Sequence, residues 1–209
     1  MLNLPKQYLS YSQFQMWKQN KNRYIKEYFE GGDKLDTKYL RFGKKQAQEK
    51  EDGAVHDTPE HLRFHLNEYE FNCEVNGVPI YGKIDACDPD VPTFREDKTG
   101  KIPWTRSKVE KHRQLTFYAM ALKQVLGKIP EKAYLVWLET EDVYQPSIKD
   151  LLLSGISTGE SMEPVRRTEK KPVVFIKEFD EREIERLETE LLEIATEISE
   201  TYTLWQKSH

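Results

Sequence analysis

The chain has 209 residues, a length that suits one domain with a proper hydrophobic core. Its formal net charge is -4, so the protein is not basic overall. A polyanionic partner would therefore have to bind to a local basic patch. No apolar run is long enough to span a membrane, and Met1 to Ser10 lacks the pattern of a signal peptide, so we expect a cytosolic protein. The two cysteines, Cys73 and Cys87, are too few for a four-thiolate metal site and are expected to be buried in strands.

Two helices are predicted at the beginning of the chain. Ser10 or Ser12 can cap the first helix, which carries an aromatic stripe and stops at Gly31-Gly32. The second helix is expected to run from Thr37 to Lys50 or Glu51. We interpret the apolar face of each helix as core packing.

A β-hairpin is predicted from Glu68 to Cys87. Apolar residues alternate along its first strand, which is typical of a half-buried strand. Asn76-Gly77 is the sequence that a two-residue turn with positive φ angles prefers. Pro79 indicates that the return strand starts at an edge of the sheet or at a bulge.

Two short strands, Ile80 to Ala86 and Thr93 to Thr99, are predicted around a tight acidic turn, and this is where we expect a functional site. The first of these strands ends on Asp85. The second carries Glu96 and Lys98, which are two residues apart and therefore share one face of the strand.

The neighbours of these residues suit a metal ion. The side chain of Asp97 points to the other face and leaves its backbone carbonyl near Glu96, so with Asp85 alongside, two carboxylates and a carbonyl would meet. An acid-x-lysine triplet also begins at Asp36 and at Glu169, where solvated surface is the ordinary interpretation. The triplet at Glu96 differs because it follows an apolar run and has an aspartate at the end of the strand before it.

The second half of the chain is predicted to alternate between helices and strands. A helix from about Ser107 to Leu126 is closed by Gly127. The other predicted segments are a strand at Ala133 to Leu138, an irregular polar segment at Tyr144 to Glu163, a strand at Pro172 to Phe175 and a helix that starts at Asp180 with Glu183 three residues later, as in a capping box. The apolar stripe of the last helix favours packing on the protein's own sheet over a coiled-coil dimer. This order predicts an α/β fold in which a mixed central sheet is flanked by helices.

One stretch is strongly basic although the whole protein is acidic. From Lys98 to Arg113, six basic residues stand against one acidic residue, Glu110 (Asp97 lies just outside this stretch), which gives a local charge of about +5. Phosphate groups of a nucleic-acid backbone are the ligands that such a patch prefers. The residues that we expect to contact DNA are Lys101, Arg106, Lys108, Lys111 and Arg113.

Four stretches together resemble the PD-(D/E)XK nuclease superfamily, in particular its RecB-like and phage-type exonuclease branch. G-K-I-D, which ends at Asp85, is similar to the family's strand-end aspartate motif, and R-E-D-K-T-G is similar to its acid-x-lysine element. H-R-Q-L-T-F-Y-A resembles the family's glutamine-x-x-x-tyrosine helix through Gln114 and Tyr118. The segment from Leu9 to Tyr28 resembles the entry helix of that branch.

The resemblance implies a restriction-endonuclease-like (PD-(D/E)XK) core in a single nuclease domain over residues 1–209. Within this domain, N-terminal helices would occupy residues 9–52 and the catalytic core residues 68–140. A strand and the C-terminal helix would occupy residues 170–207.

The resemblance also implies hydrolysis of DNA phosphodiester bonds with Mg²⁺ or Mn²⁺ as the cofactor. Asp85, Glu96 and the carbonyl of Asp97 would hold the ion. Lys98 would orient the attacking water and stabilise the charge that builds on the phosphate. Gln114 and Tyr118 would brace the site or touch a phosphate, with helix packing as their alternative role. The catalytic residues that follow are Asp85, Glu96, Lys98, Gln114 and Tyr118.

The sequence departs from the family in two places. Iron–sulfur members of the branch have a cysteine near Asn20, and its absence implies that no cluster is present. Many relatives have a histidine or glutamate four residues after the glycine that corresponds to Gly43, as an extra metal ligand, and this chain has Ala47 there. Glu51 lies one turn further on the same helix face and is the metal ligand that we expect, with an ordinary place on the helix surface as the alternative. The other candidates are Glu49, His56 and His61.

The function that the resemblance favours is an exonuclease in recombination, repair or phage DNA processing. The alternatives are an endonuclease of the same fold and a catalytically idle nucleic-acid-binding protein. The intact residues Asp85, Glu96 and Lys98 argue against an idle protein, whereas the missing ligand at Ala47 argues for it. DNA is the expected partner, with recombination or replication proteins as further partners. No membrane association is expected, and the expected location is the cytoplasm, or the host cytoplasm for a viral protein.

Overall fold

A computed structural model describes residues 2–33, 37–51, 59–143 and 165–209 of the chain. These residues form a mixed sheet of six strands covered by helices, which is the predicted α/β architecture. No helix in these four ranges is both long enough and apolar enough to cross a membrane.

The helices and strands have the following bounds. The strands are β1 (Leu66–Val75), β2 (Val78–Asp88), β3 (Thr93–Gly100), β4 (Lys132–Asp142), β5 (Val165–Arg167) and β6 (Val173–Glu178). The helices are α1 (Tyr11–Gln19), α2 (Lys21–Tyr24), α3 (Lys38–Glu51), α4 (Arg106–Glu110), α5 (Arg113–Leu126) and α6 (Glu181–Ser208). A π-helical turn at Ile25–Phe29 follows α2, and a 3-10 turn at Glu60–Leu62 precedes β1.

The sheet has the strand order β1-β2-β3-β4-β5, and β6 also pairs with β4. The pair formed by β3 and β4 is parallel, and α5 lies in the crossover that connects these two strands. The other pairs are antiparallel. The apolar faces of α1, α5 and α6 supply much of the core on the sheet.

The predicted hairpin is confirmed, with its turn at Asn76-Gly77. Both turn residues have positive φ angles, of 50° and 80°, as a type I′ turn requires. Pro79 lies where β2 has no β3 neighbour, as the predicted edge position requires, although its carbonyl accepts a hydrogen bond from the N–H of Leu9 at 2.9 Å next to an isolated bridge. The two cysteines are free and lie in β1 and β2; Cys87 is buried, whereas Cys73 is only half-buried.

Gly82 of β2 is required by the packing of the hairpin. A Cβ atom at this position would lie 2.3 Å from the ring of Phe71 on β1, a separation that the ring cannot accommodate without shifting. Phe71 is buried, and its ring packs directly on the backbone of Gly82, which holds β1 against β2.

The entry helix begins as predicted but is not continuous. Ser10 caps α1: its Oγ accepts from the N–H of Gln13 at 3.4 Å, and Gln13 Oε1 accepts from the Ser10 N–H at 2.7 Å. The helix ends at Gln19, and Asn20 caps α2. The predicted aromatic stripe is core, since its buried members are Phe14, Trp17 and Tyr24.

The prediction of one helix from Ser107 to Leu126 is wrong. The chain forms two helices there, α4 and α5, which are separated by a break at His112. The backbone of His112 is extended, with φ -79° and ψ 100°. The carbonyl of Glu110 accepts a hydrogen bond from Nζ of Lys177 at 2.8 Å, so a side chain from β6 takes the place that the N–H of Gln114 would fill in a continuous helix. A tertiary contact therefore ends α4.

The last helix, α6, begins after Asp180 as predicted. Asp180 caps the helix by accepting from the N–H of Arg182 at 3.0 Å. The predicted capping box does not form, because the carboxylate of Glu183 accepts from Lys177 and from Thr116, each at 2.7 Å. The buried residues of the predicted stripe are Ile184, Leu187, Leu191, Ile194 and Ile198.

Two further predictions concern the region around β5. The strand predicted at Pro172 to Phe175 is confirmed as β6. The short strand β5 was not predicted, because three residues are too few to give a period. The irregular segment predicted at Tyr144 to Glu163 lies outside the described residues.

Lys177 joins β6 to three helices, α4, α5 and α6, and its truncation should destabilise the fold. Its side chain is 1% exposed and donates to Glu110, Thr116 and Glu183. We expect Lys177→Ala to lower the free energy of unfolding by about 2–4 kcal/mol, because the carbonyl of Glu110 and the carboxylate of Glu183 lose a buried donor.

Thermal unfolding measures this effect. The control is Lys170→Ala, since Lys170 also pairs with a glutamate (Glu139, at 2.7 Å) but its side chain is 72% exposed, so its Tm should hardly change. Equal Tm values for the two variants would contradict a structural role for Lys177.

Candidate active site

Asp85 is held at the point where regular pairing between β2 and β3 ends. The antiparallel register ends with Ala86 opposite Arg95. Beyond this pair, Oδ2 of Asp85 accepts a hydrogen bond from the N–H of Asp97 at 2.6 Å. The carboxylate thus takes the place of a strand carbonyl, which brings Asp85 beside Glu96 on the neighbouring strand.

Four residues on β3 and α5 form one hydrogen-bonded chain. Nζ of Lys98 donates to Oε1 of Glu96 at 2.5 Å and to Oε1 of Gln114 at 2.8 Å. Nε2 of Gln114 donates in turn to the hydroxyl of Tyr118 at 2.7 Å. The residues that the sequence proposes as catalytic on these two elements therefore lie together.

The carboxylates and the lysine perturb one another. Burial and the negative charges of Glu96 and Asp97 raise the pKa of Asp85 well above its usual range. Burial also raises the pKa of Glu96, against the opposing effect of Lys98. Burial alone would lower the pKa of Lys98, but the charges of Glu96 and Asp85 outweigh it and raise that pKa, so this side chain is an ammonium. The cluster holds more negative charge than its one lysine neutralises.

Asp97 presents its side chain to a different partner. Its carboxylate forms an ion pair with Nε of the buried Arg95 at 3.1 Å. Its proposed contribution to a metal site is therefore its backbone carbonyl, as the sequence suggests.

The helix-borne ligand stays a prediction. Helix α3 brings Gly43 and Gln46 to a cavity of about 70 Å³ that Asp85 and Asp97 also line. The candidates whose side chains lie outside the described part of the chain are Glu49, Glu51, His56 and His61.

Glu68 lines the same cavity and is a candidate site residue that was not predicted from the sequence. Its φ of 54° is unusual for a residue with a side chain, and it falls opposite Asp85 in the hairpin, between the pairs Asn67–Ala86 and Tyr69–Ile84. The signal was available, because a two-residue turn at Asn76-Gly77 fixes the register, and counting back from the turn places an acid opposite Asp85.

The donors at this site fit a hard divalent cation. Within the described ranges, no three His, Cys, Asp or Glu side chains form a ready metal cluster. However, Oε2 of Glu96 is buried and has no hydrogen-bond partner among the described residues, and Glu96 is only 4% exposed. A buried carboxylate oxygen without a partner is costly, and a cation would satisfy it. Carboxylates with a carbonyl are the ligands that Mg²⁺ and Mn²⁺ prefer.

The predicted DNA-contacting residues differ in their surroundings. Lys101 forms an ion pair with Asp142, and Arg113 forms one with Glu190 on α6. Lys108 lies over the ring of Trp104, 4.1 Å from its centroid. Arg106, whose side chain is 89% exposed and lies 4.0 Å from Glu110, and Lys111 are exposed as well.

This arrangement defines a class of protein. A mixed sheet has an aspartate and a glutamate-x-lysine at the junction of two adjacent strands, and a glutamine-x-x-x-tyrosine helix is hydrogen-bonded to the lysine. These are the parts of a restriction-endonuclease-like nuclease. The family model of the PD-(D/E)XK nuclease superfamily matches residues 6–208, and the chain belongs to this superfamily. The predicted family and fold class are confirmed.

Two solved structures share the fold. A presumed exonuclease from Eubacterium rectale is 10% identical, with a TM-score of 0.57 over 95% of this chain and 80% of that one. A phage-related exonuclease from Haemophilus somnus is 15% identical, with a TM-score of 0.51 over 88% of this chain and 80% of that one. No curated protein matches the chain in sequence.

Glu68→Gln should weaken the binding of Mn²⁺ by about tenfold or more, because it removes a carboxylate from the cavity beside Asp85. Glu70→Gln is the matched control. Both glutamates lie on β1 and approach Lys83, Glu68 at 3.0 Å and Glu70 at 3.9 Å, but the side chain of Glu70 is 58% exposed, against 14% for Glu68. Calorimetry of Mn²⁺ binding compares the two variants. If they lose the same affinity, the effect is one of net charge and Glu68 has no special part in the site.

Asp85→Asn should stabilise the metal-free protein at neutral pH. Because the pKa of Asp85 is raised in the folded protein, the folded state binds more protons than the unfolded chain between the ordinary and the raised pKa. The stability contributed by this residue therefore falls as the pH rises through that window. We expect the variant to have a higher Tm than the natural protein in EDTA at pH 7, and the difference to shrink on acidification towards pH ~4. A lower Tm for Asp85→Asn at pH 7 would contradict this assignment.

Proposed function

We propose that this protein is a metal-dependent deoxyribonuclease, an exonuclease in recombination, repair or phage DNA processing. The observation that carries the proposal is the ammonium of Lys98, held between Glu96 and Gln114 beside a buried carboxylate oxygen that lacks a partner among the described residues. Membership of the PD-(D/E)XK superfamily and the fold shared with exonucleases support it.

Asp85, Glu96 and the carbonyl of Asp97 would hold Mg²⁺ or Mn²⁺, and Glu51 stays the proposed helix-borne ligand. Such an ion, when bound, polarises the phosphate and lowers the pKa of a coordinated water. Burial, together with the neighbouring negative charges, raises the pKa of both carboxyl groups in the metal-free protein. A bound cation would offset the cost of holding these groups ionised in the buried site.

Lys98 would act as a hydrogen-bond donor and positive charge, not as a base. Its pKa is raised, so it keeps its proton at neutral pH. With Glu96 and Gln114 fixing its Nζ atom, it would orient the attacking water and stabilise the charge that develops on the phosphate oxygens.

Gln114 and Tyr118 would position Lys98. The hydroxyl of Tyr118 accepts from the amide of Gln114, which turns the amide oxygen towards the lysine. Burial raises the pKa of Tyr118, so its hydroxyl stays neutral and suits this bracing role.

The basic stretch after β3 would hold the DNA backbone. Trp104, Lys98 and Lys101 line a cavity of about 470 Å³ with Lys108, and Arg106 is exposed nearby in sequence. Contacts from these residues to phosphates would position the substrate without reading its sequence. A location in the cytoplasm, or the host cytoplasm for a viral protein, and partners among recombination or replication proteins belong to the same proposal.

Lys98→Ala and Glu96→Ala should each reduce cleavage by orders of magnitude while the protein stays folded. Lys123→Ala is a matched control: Lys123 also pairs with a glutamate, Glu188 at 3.1 Å, and its side chain is 26% exposed, against 25% for Lys98. We expect this control to cleave like the natural protein. Unchanged activity in both site variants would remove the assignment.

The type of cleavage is tested on two substrates, end-labelled linear DNA and covalently closed circular DNA, with Mg²⁺ and with EDTA. An exonuclease degrades only the linear DNA and only with Mg²⁺. Nicking of the circle would indicate an endonuclease, and no cleavage of either DNA would indicate an idle binding protein. Both of these results contradict the proposal.

A further inference from the structure

A cleft of about 960 Å³ runs from the N-terminal segment and α1 across β2 to the start of α5. It reaches the candidate active site at Gln114 and Tyr118. Five of the chain's 11 tyrosines line it, and we refer to it as the tyrosine cleft. These residues are Tyr8, Tyr11, Tyr28, Tyr81 and Tyr118.

The charges of the tyrosine cleft have one sign. Its basic residues are Lys6, Arg23 and Lys83, and no carboxylate lines it within the described part of the chain. Two of these cations do have carboxylates beside them outside the lining: Glu27 lies 3.9 Å from Arg23, and Glu68 lies 3.0 Å from Lys83. The whole protein has 36 acidic and 32 basic residues, so a lining without acids is a local bias towards anions.

Two tyrosines form an aromatic platform in the cleft. The rings of Tyr8 and Tyr81 contact each other with centroids 5.1 Å apart and planes inclined by 52°. Both residues are half-buried, so part of each ring faces the cleft. Unpaired bases stack on such surfaces regardless of sequence, whereas the bases of a duplex are stacked on one another and offer no free face.

One polar group in the cleft has no hydrogen-bond partner in the described part of the chain. Oε1 of Gln15 is buried and accepts no hydrogen bond from any described residue. The N–H groups on the edge of an unpaired base are donors that an acceptor of this kind can use, and a phosphate has no such donor.

We propose that the tyrosine cleft binds the unpaired nucleotides of a single strand, with a base stacked on the Tyr8–Tyr81 platform, and leads this strand to Lys98. The inference rests on the proposed nuclease function and adds the form of the substrate. Phosphates would lie along Lys6 and Lys83, and the bases would face the tyrosines and Gln15.

Binding is measured in EDTA, where no cleavage occurs, by the anisotropy of a fluorescein-labelled single-stranded oligonucleotide. We expect Tyr81→Ala and Tyr8→Ala each to weaken binding about tenfold. Tyr81→Phe keeps the ring and should bind like the natural protein. The control is Tyr134→Ala, since Tyr134 is also half-buried and has a lysine over its ring, Lys132 at 5.6 Å, but lies on β4 away from the cleft.

Two further ligands separate stacking from charge. The natural protein should bind an abasic strand of the same length about tenfold more weakly than the strand with bases, and Tyr81→Ala should bind both strands alike. A blunt duplex should bind equally to the natural protein and to Tyr81→Ala. Equal affinity of the natural protein for the two single strands, or an equal loss on single strand and duplex in Tyr81→Ala, would overturn the inference.

The inference and the proposed function fail in different experiments. A protein that cleaves DNA with Mg²⁺ but whose single-strand affinity is unchanged in Tyr81→Ala and Tyr8→Ala overturns only the inference. A protein that shows the expected binding in EDTA but cleaves no DNA with Mg²⁺ overturns only the proposed function.

Discussion

The rest of the site depends on one constraint, which is that the buried carboxylate of Glu96 needs partners for its charge. A charged group that is 4% exposed needs a partner, and Lys98 supplies it from the same face of β3. Lys98 is held in turn by Gln114, whose place depends on where α5 begins. The start of α5 depends in turn on Lys177, which donates a hydrogen bond to the carbonyl of Glu110 and so ends the preceding helix, α4. A structural lysine on β6 thus helps to orient the lysine of the candidate site.

Local signals made much of this predictable. Asn76-Gly77 fixed the hairpin and its register, Ser10 and Asp180 marked the starts of two helices, and apolar periodicity identified the core faces of α1 and α6. The residues proposed as catalytic lie together because the acid-x-lysine spacing has the period of a strand and Gln114 and Tyr118 have that of a helix.

The errors and omissions have tertiary causes. No local property of the sequence ends a helix at Glu110, since the residue that ends it is 67 positions away. The sequence predicts a DNA contact for Arg113 because it cannot show that this residue pairs with Glu190 of α6, a helix whose acidic face also binds Lys18 of α1. Glu68 is not among the predicted site residues because it stands at the beginning of the predicted hairpin. The register of that hairpin nevertheless places it opposite Asp85.

The ion pair between Glu68 and Lys83, at 3.0 Å, lies on the boundary between two cavities. Glu68 lines the small cavity with Asp85, whereas Lys83 lines the tyrosine cleft. A cation that attracts Glu68 would release the ammonium of Lys83 towards a phosphate, and a phosphate that attracts Lys83 would release Glu68 towards a cation. Two ligands of opposite charge on either side of one ion pair are thermodynamically linked, and each strengthens the other by the same factor. For the proposed nuclease, substrate and metal ion would therefore bind cooperatively through this ion pair.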